Sequence, residues 1–283
     1  MGIGEKNPSP RPQIAAYGHR LLAKAAGREV VYLPDSEPSA VVADDAEHRM
    51  LHLDLSKLPN SDVVRKSLSD AKILRAKYGF ASGEFNMGSA LNTAIAAYGD
   101  AFFYACCDEP ELATQVLIRM NQLMMQLYAL VSHEIEPMRF PLPMRYAFYG
   151  NCPAIMISPE MYKKVVLPAD LWLRNRVDTF MLHHCGILDN YAELYQALRP
   201  DILDVGGGSN YLQMRKIYPQ TPCWLIISNK DVETASSDGI RSLVHQIARD
   251  AGPEEYITKI YVSDIAGDTQ DRVIYDLATA HLD

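Results

Sequence analysis

The feature that most constrains the fold is the alternation of short apolar runs with helical segments from about residue 78 onward. Extended runs are predicted at 78–85, 144–149, 179–185, 202–205, 223–227 and 257–262, and helices at 92–107, 109–136, 158–177, 190–198, 212–217 and 238–251. Strands that alternate with helices form a mostly parallel sheet with right-handed crossovers. The sequence therefore predicts an α/β fold, a TIM-type (β/α)8 barrel, with an open doubly wound sheet as the alternative.

An N-terminal extension precedes this alternation. Residues 1–12 are rich in proline, which disfavours regular structure, and are predicted to form a flexible tail. Helices are predicted at 13–26 and 60–77, with short extended runs at 29–33 and 40–43 between them. No repeat or linker follows, so residues 13–283 are predicted to form a single barrel domain, since barrels often reach this size.

Composition and charge exclude several classes of protein. Apolar residues make up 48% of the chain and charged residues 22%, as in ordinary globular enzymes. The net charge of -8, with no basic run, disfavours nucleic-acid binding, and no apolar stretch approaches the roughly 20 residues of a membrane helix. Five cysteines without a secretory signal indicate reduced thiols. The expected protein is cytoplasmic and binds neither nucleic acid nor membrane.

The segment Asp178–Gly186 indicates a metal site. Three apolar residues lead into His183, His184 and Cys185. Alternation along a strand turns His183 and Cys185 to one face and His184 to the other. Imidazole and thiolate are ligands that zinc prefers. A buried histidine beside a buried cysteine is the structural alternative.

Polar residues follow the other predicted strands, at the end where barrel enzymes carry their active sites. They are Glu84 and Asn86, Asn151 and Cys152, Asp204 with Gly206–Gly208, Ser228 and Asn229, and Ser263 and Asp264. Among these, the candidate catalytic residues are Glu84 and Asp204. Residues predicted to contact substrate are Asn86, Asn151, Cys152 and Gly207. Asp264 is a candidate metal ligand beside His183 and Cys185.

Each of these candidates also has a purely structural explanation. Glu84 can cap a helix or pair with an arginine, and Cys152 can be ordinary packing. A partly buried Asp204 needs polar partners in any case. The glycines at 206–208 can form a flexible loop instead of admitting a ligand, and Asp264 can cap a final helix.

Five ordered segments resemble one family. They are Gly-Glu-Phe-Asn-Met-Gly-Ser-Ala-Leu at 83–91, Asp-Glu-Pro-Glu-Leu at 108–112, Ile-Ser-Pro-Glu-Met-Tyr-Lys-Lys-Val-Val-Leu-Pro at 157–168, Leu-His-His-Cys-Gly at 182–186 and Ser-Asp-Ile-Ala-Gly-Asp-Thr at 263–269. From residue 78 to the end, the chain resembles the uroporphyrinogen decarboxylase superfamily, and within it the cobamide-dependent methyltransferase branch. No single segment is decisive, but the ordered set is fairly specific.

This resemblance implies a TIM-type barrel with a zinc ion held by a His-x-Cys pair and a later cysteine. His183 and Cys185 fall on the first two ligand positions, and Ser263 falls on the third. Since serine is a poor zinc ligand, the neighbouring Asp264 is predicted to take its place, ahead of Glu84 and Cys152. A carboxylate ligand favours a harder, oxygen-containing substrate.

The activity implied by the resemblance is methyl exchange between a small methylated substrate (an ether, alcohol, thiol or amine) and a corrinoid carried by a partner protein. The Arg-bearing N-terminal motif of the true decarboxylases has no counterpart, so uroporphyrinogen decarboxylation is not expected. Two alternatives stay open. One is a metal-free lyase or decarboxylase using Asp204 and His183 as acid and base. The other is a non-catalytic relative that binds a ligand or a corrinoid protein.

Overall fold

The computed structural model describes residues 14, 20–32, 34, 38–42, 45, 52–81, 87–134 and 146–262. These residues fall into two compact units that divide between Phe180 and Met181, within a strand. We call them the N-terminal unit and the C-terminal unit. The tail at 1–12 and the predicted site residues Glu84, Asn86 and Asp264 lie outside the described residues.

The N-terminal unit is mostly helical. Its helices are α1 (Leu21–Ala25), α2 (Asp62–Tyr78), α3 (Ala90–Tyr98), α4 (Asp100–Asp108), α5 (Pro110–Val131), α6 (Pro159–Met161) and α7 (Leu167–Arg174), with a π-helical turn at Tyr162–Val166 and short 3-10 turns at Leu55–Asn60, Ser132–Glu134 and Cys152–Met156. Its strands are β1 (Glu29–Val31), β2 (Ser39–Val41), β3 (Met87–Gly88) and β4 (Tyr146–Gly150). The first two strands pair antiparallel, whereas β3 and β4 pair in parallel.

Local chemistry explains where these helices begin and end. The hydroxyl of Ser61 caps α2 by accepting a hydrogen bond from the Val64 amide. The helix ends at Gly79, whose φ of 84° suits glycine. The single predicted helix at 92–107 is divided in two at Gly99, which has a φ of 56°. The π-helical turn ends just before Leu167 and Pro168, where α7 begins.

The C-terminal unit consists of parallel strands connected by helices. The strands are β5 (Thr179–His184, of which the last four residues belong to this unit), β6 (Ile202–Val205), β7 (Cys223–Ile227) and β8 (Ile257–Val262), and the helices are α8 (Ala192–Tyr195), α9 (Tyr211–Ile217), α10 (Asn229–Thr234) and α11 (Ser237–Ala251), with 3-10 turns at Gln196–Leu198 and Glu254–Tyr256. Each strand pairs in parallel with the next strand along the chain. This is the expected arrangement of repeated βα units.

The mixed α/β class with parallel strands is confirmed, but the complete barrel is not seen. The described residues contain six parallel strands instead of eight, and no pairing among them closes a barrel. The first predicted strand, at 78–85, is also wrong at its start, because Tyr78 is still helical. Residues 82–86 lie outside the described residues. Among the described residues, no helix combines the length and the apolar character needed to cross a membrane.

Candidate metal centre

The two adjacent histidines of β5 make contacts on opposite sides of the strand. The Nδ1 atom of His183 lies 2.8 Å from the Oδ2 atom of Asp204. The Nδ1 atom of His184 instead lies 3.0 Å from the hydroxyl of Tyr195, at the end of α8. The prediction that alternation separates the two histidines is therefore confirmed.

Asp204 fixes the orientation of the His183 ring. The two residues are paired in register on β5 and β6, so their side chains leave the same face of the sheet. The hydroxyl of Tyr261, from β8, donates to the same Oδ2 atom at 2.7 Å. The Asp204 side chain is 1% exposed and that of His183 is 19% exposed. A carboxylate bound to one ring nitrogen in this way is typical of histidines that bind metal through the other.

Cys185 directly follows β5, and its side chain contacts the imidazole of His183. Its thiol is exposed, and it forms a hydrogen bond with His183. Burial alone would lower the pKa of His183, but the hydrogen bonds to Asp204 and Cys185 outweigh it and raise that pKa to about 9. A metal ion that binds here must therefore displace a proton from His183.

His184 belongs to an aromatic cluster and not to this site. Its ring is fully buried and lies 5.8 Å from the ring of Tyr191 and 5.9 Å from that of Tyr195. Burial, together with the charge of His183, lowers the pKa of His184 to about 4. A neutral, buried imidazole of this kind stabilises the fold.

The glycines after β6 allow three strand ends to approach one another. A Cβ atom on Gly206 would overlap the backbone of Gly186 and Cys185, and one on Gly207 would lie 2.7 Å from the Ser228 amide nitrogen. Close backbone approach therefore explains both residues without a ligand. The predicted contact of Gly207 with substrate stays a prediction. Gly208 differs, because its φ of 86° accounts for the glycine, and a Cβ atom there would make only ordinary van der Waals contact with Ile187.

Asn151 and Cys152 follow β4 in the N-terminal unit. Asn151 is fully buried and Cys152 is half-buried. The Nδ2 atom of Asn151 donates at 3.0 Å to the hydroxyl of Tyr162 and at 3.0 Å to the Oδ2 atom of Asp170. Asn151 therefore has a structural role in this unit, and its contact with substrate stays a prediction.

Several residues that form hydrogen bonds with Asp204 or with Asn151 are absent from the sequence prediction. Tyr261 has the same alternation signal as the predicted site residues, because it lies in the predicted last strand, two positions along the sequence before Ser263. Tyr162 and Asp170 give no comparable signal, since residues eight apart do not share a face of a regular α-helix. The candidates Glu84, Asn86 and Asp264 stay predictions.

Comparisons with known proteins find similarity at the level of structure. No protein-family model matches the chain, and no curated protein is detectably similar to it in sequence. A solved methyltransferase from Methanosarcina mazei superimposes with a TM-score of 0.68 at 15% sequence identity. The similarity covers 95% of this chain and 78% of the methyltransferase chain. At this identity, the comparison shows a shared fold.

Proposed function

We propose that this protein is a zinc-dependent methyltransferase that exchanges a methyl group between a small methylated substrate and a corrinoid carried by a partner protein. The observation that carries the proposal is the His183–Asp204 hydrogen bond beside the exposed Cys185 thiol. The ordered segments that resemble the cobamide-dependent branch of the uroporphyrinogen decarboxylase superfamily support it. The fold shared with a methyltransferase is consistent with it.

The chemistry of the side chains fits zinc. Metal-bound histidines commonly donate their second ring N–H to a carboxylate, and Asp204 accepts from Nδ1 of His183. Zinc in catalytic sites takes three protein ligands drawn from imidazole, thiolate and carboxylate. His183 and Cys185, both in the C-terminal unit, supply an imidazole and a thiol for such a site. We propose Asp264 as the third ligand.

Under this proposal Asp204 acts through His183 and not on the substrate. It keeps the imidazole in the tautomer that presents Nε2, and the Tyr261 hydroxyl holds the carboxylate in place. Zinc, when bound, supplies Lewis acidity that polarises an ether or alcohol oxygen or lowers the pKa of a thiol. The chain itself then needs little general acid–base machinery.

The His183–Asp204 pair also favours a second candidate function. In a metal-free lyase or decarboxylase, the same hydrogen bond would orient His183 as a general acid or base. The two functions differ in their requirement for metal. A lyase keeps its activity after zinc is removed, whereas the methyltransferase loses it.

Methyl transfer from free methylcobalamin tests the proposal. The zinc-loaded protein is mixed with methylcobalamin and, in separate reactions, with a thiol, a phenol or an alcohol as acceptor. The acceptor takes the methyl group and loses its proton, and the cobalt keeps the electron pair as cob(I)alamin, which visible absorption follows under anaerobic conditions. We expect demethylation with at least one acceptor, lost in H183A and kept in H184A. Wild-type demethylation rates no higher than those of H183A, with every acceptor, would contradict the proposal.

The third ligand is tested separately by zinc affinity. If Asp264 binds zinc, D264A weakens binding and C152S leaves it unchanged. The reverse pattern removes Asp264 from the ligand set.

A further inference from the structure

Four polar or aromatic side chains form a row across the strands of the C-terminal unit. Each is paired in register with the next, and they are His183 on β5, Asp204 on β6, Trp224 on β7 and Lys259 on β8. Residues paired in register on parallel strands leave the same face of the sheet. An imidazole, a carboxylate, an indole and an ammonium group therefore follow one another on the face that carries the candidate metal centre.

Two aromatic rings hold the ammonium group of Lys259. Its Nζ atom lies 4.7 Å from the ring centroid of Trp224 and 3.8 Å from that of Tyr261. Both distances are within the range of a cation–π interaction. Because Lys259 is exposed, a ligand can reach a cation whose position the two rings already restrict.

Tyr261 connects this cation to the candidate metal centre. Its ring contacts the ammonium group of Lys259, and its hydroxyl donates to Asp204. Asp204 in turn holds the ring of His183. The cation and the imidazole therefore lie at the two ends of one set of contacts, all of it within the C-terminal unit.

The charge of Lys259 is available to a ligand. No carboxylate among the described residues forms an ion pair with it, and the carboxylate of the row, on Asp204, is engaged by His183 and Tyr261. An ammonium group forms strong, charge-assisted hydrogen bonds with anions. One ammonium group balances one negative charge, so a carboxylate suits this position better than a doubly charged phosphate, which Asp204 would also repel.

We propose that Lys259 is the anion-binding residue of the substrate site and that the substrate is a small organic molecule with a carboxylate group. The inference rests on the proposed methyl transfer for the role of the bound anion, since a carboxylate held by Lys259 would direct the rest of the substrate toward His183. Binding of the anion itself requires neither zinc nor a corrinoid.

Benzoate and benzamide provide a matched pair of probes, because they have nearly the same shape and only benzoate is charged. Titration calorimetry measures the binding of each to wild type and to K259M, which keeps the length of the side chain without its charge. K259R keeps the charge. K216M is the control, because it removes the charge of another exposed lysine, in the last turn of α9. In a W172F background, the emission of the remaining tryptophan, Trp224, reports whether the ligand lies beside it.

We expect benzoate to bind K259M about 10-fold more weakly than wild type, K259R or K216M, because a charge-assisted hydrogen bond is lost. Benzamide should bind weakly and equally to all four proteins, and benzoate should change the emission of Trp224. The inference is overturned if K259M binds benzoate as wild type does, or if K216M loses as much affinity as K259M. Tighter binding of phenyl phosphate than of benzoate, lost in K259M, would overturn the assignment to carboxylates.

Methyl transfer from methylcobalamin separates this inference from the proposed function. With 4-hydroxybenzoate and phenol as acceptors, the ratio of their kcat/KM values should fall about 10-fold in K259M and stay at the wild-type value in K216M. If benzoate binds through Lys259 but neither acceptor is methylated, the proposed function fails and the anion site stands. If the ratio is the same in wild type and K259M, the inference fails and the proposed function stands.

Discussion

Substitution of Asp170 by asparagine should remove a pH dependence from the stability of this protein. Burial raises the pKa of Asp170 to about 6 from an ordinary value of 3.8, although hydrogen bonds from Tyr162, Tyr149 and Asn151 oppose the rise. That difference corresponds to about 3 kcal/mol. Because the native state holds the proton more tightly than the unfolded state, this contribution is fully present below pH 3.8. It is lost as the pH rises through 6.

Urea unfolding of the wild type and D170N at a series of pH values measures this contribution. The asparagine cannot ionise, so the stability of wild type minus that of D170N should fall by about 2–3 kcal/mol between pH 4 and pH 7.5. Y149F is an informative companion, because the Tyr149 hydrogen bond lowers the pKa of Asp170. Loss of this hydrogen bond in Y149F should move the fall in stability to higher pH. A difference between wild type and D170N that stays constant across this range would refute the reasoning.

Four further substitutions test the C-terminal unit. D204N should weaken zinc binding by about 10–100-fold in a chelator competition, because the His183 ring loses its carboxylate partner; unchanged affinity would remove Asp204 from the site. H184A should lower the free energy of unfolding by about 2–3 kcal/mol and keep its zinc, since the described partners of this buried ring lie on the other side of the strand. G206A should cost about 3 kcal/mol in urea unfolding because its Cβ meets backbone, whereas G208A should cost about 1–2 kcal/mol for its positive φ alone. Equal costs for the two glycines would contradict the close approach of the strand ends.

The strands of the C-terminal unit could be predicted well from the sequence. The ranges 202–205, 223–227 and 257–262 agree with β6, β7 and β8 as observed. Each is a short apolar run bounded by polar or turn residues, so length and flanking residues identify it without tertiary information. The separation of His183 from His184 also follows from alternation alone.

The partners of these residues could not be predicted in the same way. Tyr261 reaches Asp204 from a strand 57 positions away, and only the order of the strands determines that contact. Tyr162 and Asp170 share a face because of a π-helical turn, which local propensity does not reveal. The sequence leaves the glycines at 206 and 207 open to explanation by a ligand or by a flexible loop, and the neighbouring backbone beside them becomes evident only in the folded structure.

The zinc content of the purified protein tests the central claim most directly. Wild type, H183A, C185A and H184A are purified without chelators, given zinc, dialysed and analysed by mass spectrometry for metal per chain. The account predicts about one zinc per chain in wild type and H184A and none in H183A and C185A. A wild-type protein that carries no zinc and takes none up, or an H184A variant that loses zinc as completely as H183A, would contradict it.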